Sequence, residues 1–172
     1  DNGGSGNLNI SAAVTATGSG TLTLRGANFS QSGTGTVSSA NGAITGTFTG
    51  LTAISRAITS TGSTVTFTGG VTTISAPISG SGGVSVTGNG IVGNAGGTLT
   101  AQNHAIVVNS PTGAIDILDA ISSNGGAITV TAFTTLDLGP ALISSGGGGV
   151  SLTSVNSMTL FGPIVTSSGG LN

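Results

Sequence analysis

Cysteine, tryptophan, tyrosine, lysine and glutamate are all missing from the sequence, and only six of its 172 residues carry a formal charge, two Arg and four Asp. Each shortage excludes something. Without Cys there is neither a disulfide framework nor a thiolate metal site. With a net charge of −2 and no basic run, the electrostatic footprint that nucleic acid or anionic lipid needs is missing. No apolar run approaches the ~20 residues that cross a bilayer, so membrane insertion is not expected. The opening Asp1-Asn2-Gly3-Gly4 does not read as a signal peptide, which points to a processed product or a segment of something longer.

Charge poverty and 33 glycines are also marks of disorder. Disordered chains, however, lack β-branched residues, and this one is full of Val, Ile and Thr, with a mean hydropathy of +0.44. Periodicity decides the matter. Ile54-Ser55-Arg56-Ala57-Ile58 leads into Thr59-Ser60-Thr61-Gly62, and Ile74-Ser75-Ala76-Pro77-Ile78 leads into Ser79-Gly80-Ser81-Gly82-Gly83. The phrase returns from Ile117 to Ile121, from Leu138 to Leu142 and from Leu160 to Ile164, each time followed by small polar residues and Gly. Weaker copies are Ile10 with Val14, Gly33 with Val37, and Ala95 with Leu99. First members at 10, 33, 54, 74, 95, 117, 138 and 160 give a sustained period of about 21–22 residues, the signature of a solenoid.

Within a coil the apolar residues alternate, as strands require. Ala127-Ile128-Thr129-Val130-Thr131 places Ile and Val on one face, Thr135-Leu136-Asp137-Leu138 does the same, and Leu142-Ile143 closes the coil. Leu22/Leu24, Val65/Phe67, Val84/Val86, Ile106/Val108 and Val150/Leu152 supply the first strand of other coils. The expectation is an all-β, parallel β-helix (β-solenoid) forming a single domain over 1–172, with about eight coils and three short strands per coil. The coils fall near 1–20, 21–42, 43–63, 64–83, 84–104, 105–126, 127–148 and 149–170. Equivalent strands pair in parallel at ~4.8 Å, so the rod is about 38 Å long. Asn41-Gly42 and Asn124-Gly125 are expected at corners with positive φ, and Pro77, Pro140 and Pro163 at one shared bend before an inward strand.

Coils of the form Ile-Thr-Val-Thr-Ala, Leu-Asp-Leu-Gly-Pro, Leu-Ile-Ser-Ser-Gly-Gly-Gly resemble the central repeats of filamentous-haemagglutinin-like adhesins and other giant secreted bacterial repeat proteins. The resemblance implies a right-handed β-helix, export to the cell surface, and an adhesive or scaffolding role without catalytic residues. Host or surface glycans would be the adhesive target.

Self-association is the partner expected from the repeat itself. Asp1 to Asn7 reads as a flexible glycine-rich stretch rather than a polar cap, and Leu171-Asn172 reads as the start of a new first strand. A step of 22 residues runs from Leu160 through Asn172 to Ile10 of a following copy, which continues the internal period. Copies are therefore expected to stack head to tail, as tandem repeats or as separate subunits adding strand to edge, with lateral bundling as a corollary of low charge.

Few residues suggest chemistry, and no catalytic, cofactor or metal residue is assigned. Asp116 and Asp137 are expected to point outward one coil apart, with Asn94 and Thr159 continuing the column. Two carboxylates ~5 Å apart repel by about 1 kcal/mol in water, so the pair is either a solvated acidic couple or a seat for Ca²⁺. His104, in Gln102-Asn103-His104, aligns with Gly126 as a plain turn residue with no base or acid partner, while Arg25 and Arg56 fall in different coils and form no anion clamp. A nucleophilic serine needs a base, and none is aligned with it, so the chain does not read as an enzyme. Asn9-Ile10-Ser11 and Asn28-Phe29-Ser30 fit the glycan-acceptor pattern. Thr21 with Thr23, Thr64 with Thr66, Thr129 with Thr131, and Ser151 with Thr153 make Thr-x-Thr-like pairs, interrupted by Val107 and Asn109. Such an outward ladder makes an ice-binding solenoid the alternative to a structural rod.

Overall fold

A computed structural model describes residues 5–167 together with 170 and 171. Among these residues there is no helix, and every strand pairing is parallel. The strands recur in threes and build three sheets. Sheet A has eight strands, from Asn7–Ile10 to Ser157–Leu160; sheet B has eight, from Val14–Ala16 to Ile164–Thr166; sheet C has seven, from Leu22–Gly26 to Val150–Ser154. Each inner strand bonds to its equivalents one coil before and after, so the chain is a β-solenoid of about seven turns with two strands of a further coil.

The register places like on like. In sheet A, Ile54 pairs with Ile74, Ile74 with Gly93, Gly93 with Ile117, Ile117 with Leu138, and Leu138 with Leu160. In sheet B, Val14, Val37, Ile58, Ile78, Leu99, Ile121, Ile143 and Ile164 form one column. Sheet C carries two inward columns, one from Leu22 to Val150 and one from Leu24 to Leu152. Alternation explains this: successive side chains of a strand face opposite sides, so every second residue enters the tube. Ile44, Ile58, Ile78, Ile106, Ile121 and Ile128 are all fully buried there.

Five expectations need correction. The first-member column passes through Gln31 and Gly93 rather than Gly33 and Ala95, because Ile10 pairs with Gln31 and Ile74 with Gly93. Both corners contain an inserted β-turn, closed by Gly35 N–H to Ser32 C=O at 2.9 Å and by Gly97 N–H to Asn94 C=O at 2.9 Å. The turns push Gly33 (φ 52°) and Ala95 out of the tube, and both are exposed. Ile143, not Leu142, fills the sheet B column, and Leu142 is 44% exposed. Pro77 and Pro163 share a position directly before sheet B, where Ile58 and Ile143 donate to their carbonyls at 3.0 Å; Pro140 lies earlier in its corner and does not share it. Positive φ occurs at Asn124 (50°) and Gly125 (137°) but not at Asn41 or Gly42. Gly42 is instead required by proximity, since a Cβ there would overlap the Gly20 carbonyl oxygen.

The core changes character along the rod. Phe29, Phe48 and Phe67 meet inside the early coils at centroid separations of 5.0, 5.6 and 6.2 Å. Gly46 makes room for them: a Cβ on it would stand 2.5 Å from a Phe67 ring carbon. Asp1–Gly4, most of the stretch expected to be flexible, and Asn172 lie outside the described residues, whereas Asn7 already belongs to a strand and Leu171 bridges Val150.

Candidate functional surface

The buried serines of the repeat are bonded to backbone at its corners. At each of these corners an outward Ser or Thr is followed by a Ser that turns into the corner, where it holds backbone. Ser60 Oγ donates to Gly42 C=O at 2.9 Å and accepts from Ser63 N–H at 3.1 Å, while Ser39 Oγ accepts from Gly42 N–H at 3.0 Å. Ser123 Oγ donates to Ser145 C=O at 3.1 Å and also reaches Gly126 C=O, and Ser145 Oγ reaches Gly148 C=O. These four serines are no more than 2% exposed.

The charged residues are spread out. Asp116 pairs in register with Asp137, and both side chains point outward from sheet A. The column continues through Thr159 on one side, but through Val92 on the other, where Asn94 was expected; the same inserted turn moves Asn94 into the corner. Asp119 is committed elsewhere, its Oδ2 accepting from Gly96 N–H in the neighbouring coil. No group of three or more His, Cys, Asp or Glu that could hold a metal occurs among the described residues.

His104 is exposed at a corner stacked against Gly126, and its Nδ1 lies 2.8 Å from Gln102 C=O. It borders an open depression of about 270 Å³ lined by Thr66, Ser85, Gly83 and Val107, with no acid or second His in its wall. Arg25 projects from sheet C, whereas Arg56 lies flat on the corner after sheet A, donating from Nε to Gly33 C=O and from Nη1 to Ser55 C=O, both at 2.8 Å. Asn28 is engaged by both ends of its amide: Nδ2 donates to Asn7 Oδ1 and Oδ1 accepts from Leu51 N–H, each at 2.7 Å. Asn9 is exposed and accepts from Ser32 Oγ at 3.3 Å.

What the fold does assemble is a hydroxyl surface on sheet C. One outward column runs Thr23, Thr45, Thr66, Ser85, Val107, Thr129, Ser151; the other runs Arg25, Thr47, Thr68, Thr87, Asn109, Thr131, Thr153. Five of the seven strands thus carry a hydroxyl pair two residues apart. Thr21 and Thr64, expected to be members of these pairs, precede their strands; Thr68 stands in the place assigned to Thr64, and the pairs Thr45/Thr47 and Ser85/Thr87, which flank Gly46 and Val86, were not among those expected. None of the paired hydroxyls bonds to a protein group, unlike the corner serines.

No protein-family model, curated protein or solved structure matches this chain. Function must therefore be argued from the surfaces just described. Sheet B offers only one outward column, Thr15, Ser38, Thr59, Ser79, Thr100, Ser122, Ser144 and Val165, in which Ser38 Oγ donates to Thr15 Oγ1 at 3.1 Å. Sheet A mixes acids, amides and apolar groups. Sheet C is the one face with two ordered columns of like chemistry.

Proposed function

We propose that the chain is a structural, non-enzymatic module of an extracellular fibre or adhesin, a rod whose strand edges accept further coils from the same chain or from a second copy. The observation that carries this reading is the continuous parallel pairing of sheets A and B through eight strands each, with one irregularity in sheet B between Ser144 and Gly146. Among the described residues Leu8–Ile10 and Ser157–Leu160 pair in register on one side only, so each presents a row of backbone donors and acceptors. Apolar column residues accompany those rows: Leu8 is half-buried, and Met158 and Leu160 are 40% and 43% exposed. Strand addition there joins hydrogen bonds to apolar burial, and a heterologous contact of this kind grows as an open filament.

Further support comes from chemistry spent on structure. The buried serines, Asp119 and Arg56 each bond to backbone at corners, so these polar groups serve the fold. Two Arg and no Lys give trypsin little to cut, which suits a protein displayed outside the cell, and the repeat resembles that of adhesins. Surface glycans fit as the target, and low charge removes repulsion between neighbouring rods. Negative-stain electron microscopy across a concentration series tests the reading. Rods that lengthen with concentration are expected, whereas isolated short particles throughout would rule out the addition of a second copy.

A second reading, an ice-binding solenoid, is favoured by one observation, the doubled hydroxyl columns of sheet C. Thermal hysteresis measured on the purified chain tests it.

A further inference from the structure

Resting on that second reading, we infer that the ice-contacting plane is sheet C alone, that it is divided by one defective strand, and that repairing this strand strengthens it. Parallel strands place successive hydroxyls of a column ~4.8 Å apart, and two residues along a strand separate the columns by about 6.6 Å. The face is therefore a two-dimensional grid, comparable to the repeats of water oxygens on a plane of ice. Threonine suits such a grid because its branched side chain is stiff at χ1, so hydroxyl and methyl are held in fixed positions before any water binds. The hydroxyls are also free of protein partners, so binding ordered water breaks no internal bond.

Charge selects the occupant. Sheet C carries a single charged side chain, Arg25, and that lies on its first strand. A charged polymer finds nothing to pair with on the remaining six. A neutral sugar surface would be gripped through aromatic rings, but Phe29, Phe48 and Phe67 are in the core, and the exposed Phe133 and Phe161 lie in corners outside the strands of sheet C. An uncharged hydrogen-bonding lattice fits what is left.

The same register locates the defect. Ser85 and Thr87 pair with Val107 and Asn109, which pair in turn with Thr129 and Thr131. On one side of this strand lie three consecutive hydroxyl pairs, beginning at Thr45/Thr47, and on the other side two. Two patches meet ice less well than one continuous plane, because attachment depends on the number of groups engaged at once. Val107→Thr with Asn109→Thr should join them.

The test compares four proteins by thermal hysteresis and inhibition of ice recrystallisation, with circular dichroism and thermal midpoint as controls for folding. They are the native chain, the double variant Val107→Thr/Asn109→Thr, Thr68→Tyr on sheet C, and Thr59→Tyr on sheet B. Expected are activity in the native chain, a several-fold gain in the double variant, loss of most activity in Thr68→Tyr, and no change in Thr59→Tyr. Activity in the native chain that ignores Thr68→Tyr, that is lost equally in Thr59→Tyr, or that fails to rise in the double variant overturns the assignment to sheet C while leaving ice binding standing. Absence of activity at millimolar protein in both the native chain and the double variant overturns ice binding itself.

Discussion

Gln31 stands in a column otherwise made of Ile, Leu and Gly, yet it is 7% exposed and bonded at both ends of its amide. Its Nε2 donates to Gly35 C=O at 2.7 Å, and its Oε1 accepts from Ser55 N–H at 3.1 Å and Arg56 N–H at 3.2 Å. The amide thus closes the inserted turn of its own coil and caps the corner of the next. Thr52 and Thr72 show the opposite case. They pair in register inside sheet A, each 1% exposed, and their hydroxyls find no protein partner. A buried hydroxyl without a partner costs about 1–3 kcal/mol of desolvation, whereas a valine of the same shape incurs none of it. Thr72→Val should therefore stabilise the chain by about 1 kcal/mol, read as a higher denaturant midpoint at unchanged slope. A lowered midpoint would mean that the hydroxyl is bonded in solution.

At the scale of strands and corners, the columns were legible wherever a corner held four steps from one inward residue to the next, as from Ile54 to Ile58, Ile74 to Ile78 and Ile117 to Ile121. Alternation marked the strands, and a fixed offset linked them. The offset misled at Gln31–Val37 and Gly93–Leu99, which take six steps, and at Leu138–Ile143, which takes five. Gln31 was hidden because a polar residue breaks an apolar pattern, and Gly93 because its column gap is filled by Ile117, whose side chain would lie 3.1 Å from an added Cβ. The hydroxyl face was half legible for a similar reason: Gly46 interrupts the apolar signal that would have placed Thr45 and Thr47 outside. Where the register was read correctly, it makes a sharp forecast. Asp116 and Asp137 are directly opposed like charges in a ladder, an arrangement destabilising by about 0.2–1 kcal/mol. Asp137→Asn should raise the unfolding midpoint by that much, and the gain should shrink as salt is added, since screening already weakens the repulsion. A salt-independent loss would show instead that the carboxylate makes a favourable contact.

For the whole molecule, the consequence of one-dimensional stacking is that stability is a sum over coils and their interfaces, and that opening begins where a coil has a neighbour on one side only. Column residues show the gradient directly: Ile78, Val108 and Ile128 are completely buried, whereas Leu160 in the same tube is 43% exposed. Amide hydrogen exchange should accordingly be slowest in the strands around Ile78–Gly80 and Ile106–Ser110, and quicken towards both Asn7–Ile10 and Ser157–Leu160. The concentration dependence of that profile separates a lone rod from a self-stacking one. If copies add strand to edge, exchange in the two outermost strands of sheet A should slow as protein concentration rises, while the middle coils stay unchanged, because each junction converts two half-covered coils into covered ones. Exchange that is graded but independent of concentration would leave the solenoid intact and remove the head-to-tail contact between separate copies.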